Sequence, residues 1–369
     1  MKRLRVVHFV EALGIGGLER VVQSLARLAS PDYRIEVVGA VAGGRAADEI
    51  GASGTPVRIL GLGGYYPPDV HRAARALKEM APDVVHTHGH FAGVLGRAAG
   101  WWSGAPAMIH HLHTLDGTLT ARHRSLERIL ARVTHRVVCC SRAVERHAVE
   151  VVGLPKHLTL TIYNGVDPPP AVSREEAQRL LGDPPRPVVG CVGALARHKG
   201  QEVLIRACAL LPPDARAGTL VLVGEGPERP LLARVASESG LGGRVLFLGE
   251  RTDARSLMPA FDLAVVPSLE REGLGLSAIE AMDAGCPLVA SRLGGLTEVV
   301  EEGRTGLLVP AGDPVALSSA MRDLLARPER GRSLGILAHR RVETMFRSSQ
   351  MVRRVEAVYE EALRERRAA

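Results

Sequence analysis

The chain has 369 residues, of which 46% are hydrophobic and 24% are charged, and its formal net charge is +7. This composition excludes extended disorder and allows two domains with full hydrophobic cores. Aromatic residues make up only 3% of the chain, too few for a surface built on base stacking, so no nucleic-acid partner is expected. The basic surface suits phosphorylated small molecules or an anionic membrane.

The first half of the chain alternates short apolar runs with amphipathic stretches. Runs rich in Val and Ile, separated by helical patterns, predict a parallel sheet that helices cover on both faces. The predicted strands are residues 4–10, 34–41, 57–60, 83–88, 107–113, 135–140 and 158–164, and the clearest helices are 17–29 and 68–80. Residues 1–167 are therefore predicted to form an N-terminal Rossmann-like domain.

A second set of strands follows a proline-rich stretch. Residues 168–186 carry PPPAVS and DPPRP around one short helix, which indicates an interdomain linker. Residues 187–345 repeat the strand–helix alternation and predict a second Rossmann-like domain, and 346–369 is a charged helix expected to pack back on the first. The fold class is thus α/β, with two doubly wound parallel-sheet domains facing a cleft, where ligands would bind beyond the carboxyl ends of the strands.

The cysteines and the apolar segments indicate the compartment. The five cysteines are odd in number, form no C-x-x-C pair and lie mostly in apolar runs, which is typical of reduced thiols in a cytoplasmic protein. No stretch approaches the roughly 20 apolar residues of a membrane-spanning helix. Membrane contact would therefore be peripheral, at the inner face of the membrane.

A basic stretch over 121–147 is the candidate for such contact. It contains seven arginines against two glutamates. A solvated helix face is the simplest interpretation, and docking on an anionic bilayer is the alternative.

Glycines at the predicted strand ends suggest phosphate binding. Gly16 and Gly17 follow the first strand, Gly224 follows a strand of the second half, and Gly275 precedes a predicted helix. Glycine at such turns lets backbone amides approach a phosphate, and a helix N-terminus is positively polarised. Lys199, at another strand-to-helix turn, adds a mobile cation.

Two glutamates flank the last of these glycines, because Glu272 lies before the predicted helix and Glu280 lies inside it. A carboxylate does not bind phosphate but accepts hydrogen bonds from hydroxyl groups well. A nucleotide sugar, with a diphosphate between two hydroxyl-rich rings, would satisfy both acids and the helix N-terminus. The pair could also be an exposed loop acid and a surface helix acid, but the adjoining glycines and the A-M-D-A-G-C-P run favour binding.

The residues around this pair read E-G-L-G-L-S-A-I-E-A-M-D-A-G-C-P-L-V-A-S from 272 to 291. They resemble the E-x7-E motif of the retaining glycosyltransferases of family 4, which have the GT-B architecture. Supporting matches are Y-N-G-V-D (163–167), V-G-A-L-A-R-H-K-G (192–200), L-V-G-E-G-P-E-R (222–229), F-L-G (247–249), G-G-L-T-E-V-V (294–300) and T-G-L-L-V-P-A-G-D (305–313). Looser matches are G-G-L-E-R (16–20) and D-V-V-H-T-H (83–88), so the resemblance covers nearly the whole chain.

The resemblance implies roles for individual residues. As catalytic residues, Lys199 would neutralise the departing diphosphate, Glu272 would bind hydroxyl groups of the donor sugar, and His113 would lie beside the reacting sugar. Glu280 would bind the ribose hydroxyls, and Arg251 would face the base. The other implied donor-binding residues are Gly16, Gly17, Arg197, Gly224, Glu225, Gly275 and Leu276.

The implied reaction moves a sugar from a nucleotide-diphosphate sugar to a hydroxyl acceptor on a glycan, a lipid or a small molecule. The resemblance also implies that residues 1–167 bind the acceptor and that residues 187–345 bind the nucleotide sugar. It would retain the anomeric configuration and would serve cell-envelope polysaccharide or glycoconjugate synthesis. Its main energetic help would be electrostatic stabilisation of the leaving nucleotide.

No cofactor or metal ion is expected, because the chain contains no D-x-D and the enzymes it resembles hold the diphosphate without a metal. Histidines do alternate along two predicted strands, at positions 86, 88, 90, 111 and 113. Three of them could share one face and bind zinc. However, no carboxylate is placed beside them by the sequence, and Gly89 is expected to end the strand before His90.

The chain departs from the family pattern at Ala194, where an arginine commonly pairs with the lysine on the diphosphate. Arg197 or a residue of the other domain could substitute for it. Two other functions remain open at this point. A nucleotide-sugar 2-epimerase shares the diphosphate site but needs acid–base residues that the sequence does not identify, and a non-catalytic sugar-binding or scaffold protein is supported only by Ala194.

Overall fold

The structure is a computed structural model that describes residues 3–115, 117, 119–213 and 218–368. The chain divides into two compact units. Unit 1 comprises Met1–Asp167 and Arg347–Ala369, and unit 2 comprises Pro168–Phe346. Each unit contains one parallel sheet with helices, which confirms the predicted α/β class with two parallel-sheet domains.

Unit 1 is built on seven strands. They are β1 Leu4–Ala12, β2 Tyr33–Ala42, β3 Val57–Ile59, β4 Val84–His88, β5 Ala107–Leu112, β6 Arg136–Cys139 and β7 Thr159–Thr161. Their order in the sheet is β3-β2-β1-β4-β5-β6-β7, and every pairing among them is parallel. All seven predicted strands are present, with their ends shifted by a few residues.

Helices of unit 1 follow most of these strands. They are α1 Gly17–Arg27, α2 Arg45–Ala52, α3 Pro67–Met80, α4 His90–Ser103, α5 Ala121–Leu130 and α6 Arg142–His147. A π-helical turn over Ala148–Val152 continues α6, and 3-10 turns lie at Ala131–Val133 and Lys156–Leu158. Gly89 ends β4 at φ 73° and is the N-cap of α4, so the expectation that the strand stops before His90 is confirmed.

Unit 2 is built on six strands. They are β8 Val188–Val192, β9 Thr219–Val223, β10 Val245–Phe247, β11 Leu263–Val266, β12 Leu288–Ser291 and β13 Leu307–Val309. Their order is β10-β9-β8-β11-β12-β13, again with parallel pairings. Aliphatic side chains of these strands, such as Val189, Leu222 and Val265, are buried against helical residues such as Leu204 and Met321.

The helices of unit 2 begin with a segment that was expected to be a linker. They are α7 Arg174–Leu180, α8 Gln201–Ala209, α9 Arg229–Glu238, α10 Ala254–Leu257, α11 Leu276–Asp283, α12 Leu296–Val299, α13 Pro314–Leu325 and α14 Pro328–Met345. Three 3-10 turns lie at Arg197–Lys199, Gly242–Arg244 and Met258–Ala260. The segment 168–186 is fixed to unit 2, because Asp262 pairs with Arg174 at 2.6 Å and also with Arg186.

The C-terminal helix α15, Ser348–Ala368, belongs to unit 1. The amide of Ser30 donates to Oε1 of Glu356 at 2.7 Å, and the hydroxyl of Tyr359 lies 2.7 Å from Nδ1 of His86. Tyr359 is only 2% exposed, so α15 supplies part of the interior of unit 1.

Candidate active site

An ion pair follows the carboxyl ends of β8 and β11 in unit 2. Nζ of Lys199 donates to Oε2 of Glu272 at 2.9 Å, and Oγ of Ser268 donates to the same oxygen at 2.7 Å. Glu272 is 7% exposed, whereas the Lys199 side chain is 30% exposed. The structure thus brings together two of the three residues that the sequence singled out as catalytic.

The surroundings of Glu272 keep its carboxyl group ionised. Burial raises its pKa, but the charge of Lys199 and the hydrogen bonds from Ser268 and Lys199 outweigh burial, so the pKa lies below its ordinary value. An ionised carboxylate only accepts hydrogen bonds. Glu272 can therefore bind hydroxyl groups, but it would repel a phosphate unless a cation stood between them.

The backbone beside Lys199 holds this geometry. Gly200 follows it at φ 71° and is the N-cap of α8. A Cβ atom at Gly200 would lie 2.0 Å from the carbonyl oxygen of Pro267, so only glycine lets this turn pack on the loop after β11. The carbonyl of His198 accepts a hydrogen bond from the amide of Leu269 at 2.8 Å.

Helix α11 begins directly after the Glu272 loop. Gly275 is its N-cap at φ 93°, where a Cβ atom would lie 2.5 Å from Cδ2 of Leu296. The amides of Leu276 and Ser277 belong to the first turn, where helix geometry provides no intrahelical acceptor. The helix dipole favours an anion at the same place, so this end of α11 is suited to a phosphate group.

Glu280 lies in the second turn of α11 and is 5% exposed. The alternative in which the two glutamates are solvated surface acids is therefore wrong, because both are buried. Arg271, just before Glu272, has φ 61°, a conformation that residues with a side chain adopt rarely. Such local strain is often found at ligand sites.

Glycines directly follow β8 and β9, and their backbones pack closely together. Gly193 follows β8 at φ 152°, and Gly224 follows β9 at φ 139°. A Cβ atom at Gly224 would lie 2.1 Å from the carbonyl oxygen of Gly193. The amide of Gly224 donates to the carbonyl of Gly249 at 2.8 Å, which ties these turns to the loop after β10.

In the part of the chain that the structure describes, the side chains of three predicted donor-binding residues are not seen to bond to Lys199 or Glu272. Glu225 pairs with Arg229, and Arg251 donates to both carboxylate oxygens of Asp253 at 2.7 and 2.6 Å. Arg197 is exposed at the turn before α8. In the described part of the chain, the side-chain bonds of Glu225 and Arg251 therefore go to their own segments.

In unit 1, Gly16 is the N-cap of α1 and Gly17 is its first residue. Gly16 is extended, with φ 178°, and a Cβ atom there would meet only the flexible end of the Glu19 side chain. The backbone itself does not require glycine at this position. Close approach of a ligand to the two glycines stays a prediction.

His113 belongs to a group of buried and half-buried imidazoles on β1, β4 and β5. This histidine cluster consists of His8, His86, His88, His111 and His113. Ring centroids lie 4.1 Å apart between His111 and His113 and 4.3 Å apart between His86 and His88. His8 was not predicted from the sequence, because its place opposite His86 depends on the pairing of β1 with β4.

Both ring nitrogens of His113 contact protein groups. Nε2 lies 3.1 Å from Nδ1 of His88, and Nδ1 lies 3.4 Å from the side-chain amide of Asn164. Nε2 of His88 in turn lies 2.9 Å from Nδ1 of His8. Burial lowers the pKa of His8 and of His113 to about 3, so these two imidazoles are neutral at physiological pH.

Two triads of the histidine cluster could hold a metal ion. Among the described residues, the ligand atoms of His8, His86 and His88, and those of His88, His111 and His113, lie within 4.8 Å of one another. Neutral imidazoles suit zinc, but neither triad includes a carboxylate that would offset the charge of a buried ion. That the reaction needs no metal stays a prediction.

A buried ion pair in unit 1 was not foreseen. The guanidinium of Arg97, on α4, is fully buried and pairs with Glu127 of α5, which is 2% exposed. Nε of Arg97 also donates to the carbonyl of Gly93 at 2.7 Å, and Nδ1 of His90 lies 2.9 Å from Oε1 of Glu127. The one signal in the sequence is a lone arginine within the small-residue helix A-G-V-L-G-R-A-A-G.

The basic stretch 121–147 is not a single helix face. It spans α5, a 3-10 turn, β6 and α6. Glu127 is buried, and Arg136 pairs with Glu361 of α15 at 2.9 Å, so both are removed from the surface charge that the sequence suggested. The arginines of this stretch that stay exposed are Arg122, Arg128, Arg132, Arg142 and Arg146.

No helix in the described ranges has the length and apolarity needed to cross a lipid bilayer.

Two parallel-sheet units, with a lysine–carboxylate pair and a glycine-capped helix after the strands of the second, define a GT-B glycosyltransferase. The fold matches that of Anabaena Alr3699/HepE, solved in complex with UDP and glucose, with a TM-score of 0.87 and 25% identity over 97% of this chain and 100% of that one. Residues 15–169 match Glycosyltransferase Family 4, and residues 186–327 match the glycosyl transferases group 1. The chain belongs to glycosyltransferase family 4.

Two relatives show how far this similarity extends. The chain is 38% identical over 178 residues to a GDP-mannose-dependent alpha-(1-6)-phosphatidylinositol monomannoside mannosyltransferase of Mycolicibacterium smegmatis, spanning 46% of each protein. It is 31% identical over 306 residues to a 2-deoxystreptamine N-acetyl-D-glucosaminyltransferase of Streptomyces fradiae, which covers 74% of this chain and 70% of that one. The chain thus spans about half the length of the first relative, and the family assigns it to the glycosyltransferases rather than to the epimerases.

Proposed function

We propose that this protein transfers a sugar from a UDP- or GDP-linked donor to a hydroxyl acceptor, with retention of the anomeric configuration. The observation that carries the proposal is the arrangement of Lys199, Glu272 and Glu280 around the glycine-capped start of α11. A cation, two acceptor-only carboxylates and backbone amides are the groups that a nucleotide-diphosphate sugar requires. The names of the relatives support this donor class, since one uses GDP-mannose and one structure holds UDP.

In the proposed reaction, the bond between the anomeric carbon and the diphosphate oxygen breaks, and its electron pair stays on that oxygen. The acceptor oxygen forms the new bond on the same face of the sugar, and its proton passes to the departing diphosphate. Lys199 and the first-turn amides of α11 stabilise the negative charge that develops there. The ammonium group of Lys199, held beside Glu272, supplies charge that other enzymes take from a metal ion.

The two glutamates act on the polyol parts of the donor. Glu272 binds hydroxyl groups of the transferred sugar, and Glu280 binds the ribose. Each is buried, so a hydroxyl that reaches it makes a charge-assisted hydrogen bond away from bulk water. Arg197, which is exposed and lies three residues after Ala194 in the sequence, takes the place of the arginine that the family pattern has at position 194.

The proposed acceptor is a hydroxyl-bearing ring carried by an anionic lipid, in synthesis of a cell-envelope glycoconjugate. One relative acts on a phosphatidylinositol monomannoside, which supports this class. The exposed arginines of 121–147 suit the surface of an anionic bilayer, and the same stretch carries Ile129, which is 55% exposed. Catalysis then takes place at the cytoplasmic face, in keeping with five buried cysteines that form no disulfide.

The test uses the purified full chain with UDP-glucose and GDP-mannose, each with and without added acceptor. Release of the nucleoside diphosphate that depends on the acceptor supports transfer, whereas release without any acceptor dependence indicates hydrolysis or epimerisation. Binding without release would indicate a non-catalytic protein. A thermal-shift screen of UDP-, GDP- and ADP-sugars identifies the base first, because a ligand of the native state raises its melting temperature.

A further inference from the structure

A pocket lies in unit 1, at the ends of β4 and β5, with an empty volume of about 440 Å³ that includes open solvent. The walls are aliphatic, including Val144, and the polar lining residues are His90, His113, Thr114, Glu127 and His147. In the part of the chain that the structure describes, no lysine or arginine side chain lines it. The Lys199–Glu272 pair belongs to unit 2.

Glu127 at this pocket is a fixed negative charge. Burial raises its pKa, but the Arg97 guanidinium and the hydrogen bonds from His90 and Arg97 hold the pKa well below its ordinary value. Arg97 is itself held by the carbonyl of Gly93 at 2.7 Å. The carboxylate is therefore ionised and cannot donate a hydrogen bond.

An ionised Glu127 determines that Nδ1 of His90 carries a proton. Because Oε1 of Glu127 can only accept, Nδ1 of His90, 2.9 Å away, carries the proton of that hydrogen bond. Nε2 is then the ring nitrogen of His90 that remains for a ligand. That Nε2 is buried and has no hydrogen-bond partner among the described residues, although the ring lines the pocket.

His113 lines the same pocket but differs in this respect. Its Nε2 contacts His88 and its Nδ1 contacts Asn164, so neither ring nitrogen is left open. His147, by contrast, has a buried Nε2 without a partner in the described ranges. The pocket is thus lined by two histidines, His90 and His147, whose Nε2 atoms are buried and without a partner in the described ranges, and by aliphatic walls.

We propose that this pocket binds the acceptor through one of its hydroxyl groups, which forms a hydrogen bond with Nε2 of His90. The walls fit the C–H face of a sugar or cyclitol ring, and a pocket with a carboxylate and no lysine or arginine lining favours a neutral ring over a phosphorylated one. A phosphate on the acceptor stays outside the pocket. This inference rests on the proposed transferase function; His90 binds the acceptor, and Glu127 and Arg97 position His90.

The experiment compares His90→Gln with His71→Gln, a control at an exposed histidine of α3. UDP-glucose and GDP-mannose serve as donors, and myo-inositol, methyl α-D-mannopyranoside and inositol 3-phosphate serve as acceptors. For His90→Gln, we expect kcat/KM for a neutral acceptor to fall about tenfold through a higher acceptor KM, as for loss of one buried hydrogen bond. In His71→Gln, transfer and donor hydrolysis without acceptor should both stay within about twofold of the wild type. In His90→Gln, transfer should fall further than donor hydrolysis.

A second measurement does not depend on transfer. In full-length protein labelled with 15N-histidine, addition of myo-inositol or methyl α-D-mannopyranoside should shift the Nε2 signal of His90, assigned from its loss in His90→Gln, and leave His71 unchanged. An unshifted His90 signal with every neutral ring, or an equal loss of donor hydrolysis and transfer in His90→Gln, would overturn the assignment of the pocket. Absence of nucleotide release in the wild type would instead count against the proposed function, while the NMR result still decides the pocket.

Discussion

Nζ of Lys199 lies 2.9 Å from Oε2 of Glu272, and this contact joins the turn after β8 to the loop after β11. In the absence of ligand the two charges balance each other locally. A diphosphate that binds Lys199 offers it a second anionic partner, and Glu272 keeps its hydrogen bond from Ser268 at 2.7 Å. The pair therefore holds the ammonium group in place before the donor arrives, which limits the reorganisation needed during the reaction.

Replacing Lys199 by alanine should lower kcat by about 10²–10³, the usual cost of removing one contact to charge that develops in the transition state. The measurement is release of nucleoside diphosphate from saturating UDP-glucose or GDP-mannose with acceptor. Lys78→Ala, at an exposed lysine of α3, is the matched control. Full activity of Lys199→Ala would reject its role on the diphosphate.

Glu280→Gln keeps the shape of the side chain and removes its charge. If the carboxylate binds the ribose, affinity for UDP or GDP should fall roughly tenfold or more, because hydrogen bonds to charged groups contribute about 1.5–3 kcal/mol. Isothermal titration calorimetry measures this directly, with Glu329→Gln at the exposed start of α14 as the control. Equal nucleotide affinity in both variants would contradict the ribose role.

Unit 1 should lose stability in mild acid. Burial lowers the pKa of His8 and His113 to about 3, whereas an unfolded histidine titrates near pH 6.5. Between these values the unfolded state binds more protons, so stability is complete above about pH 6.5 and falls as the pH drops towards 3.

The two tryptophans of the protein, Trp101 and Trp102, both lie in α4, so their fluorescence reports on the unfolding of unit 1. His8→Leu removes one of the groups that must take up a proton. It should therefore flatten the dependence of the unfolding free energy on pH by up to about 1.4 kcal/mol per pH unit. A slope identical to that of the wild type would show that His8 does not stay neutral in the native state.

Arg97→Met should destabilise unit 1 by about 3–5 kcal/mol, because it leaves the Glu127 carboxylate buried without its cation. Arg97 and Glu127 are both almost fully buried, so water cannot replace the lost partner. Urea unfolding followed by tryptophan fluorescence gives the free energy. The double variant Arg97→Met with Glu127→Leu should recover much of the loss, and simple additivity of the two single changes would argue against coupling.

The sequence predicted local features better than long-range ones. Periodicity and glycine placement located the seven strands of the first sheet and the helix start at Gly275, because these depend on neighbouring residues. The motif singled out Lys199, Glu272 and Glu280, whereas the burial of Glu280 and the contact between Lys199 and Glu272 are seen only in the structure.

Strand order and side-chain pairing could not be predicted in the same way. His8 joins the histidine cluster only because β1 lies beside β4, an arrangement that no local pattern encodes. Arg97 and Glu127 belong to different helices, so their pairing could not be predicted from neighbouring residues. In the sequence Glu127 resembled a surface charge, but in the structure it is buried. The same applies to Arg251, whose contact with Asp253 depends on the loop conformation.

Helix α15 has a consequence for how the protein is made. Unit 2 is continuous in sequence, but unit 1 needs both its first 167 residues and the segment from Arg347 onwards. During synthesis the ribosome therefore completes unit 2 before it delivers Tyr359, whose hydroxyl lies 2.7 Å from His86 in the finished interior. The surface of unit 1 that α15 covers therefore stays exposed until that helix has been synthesised.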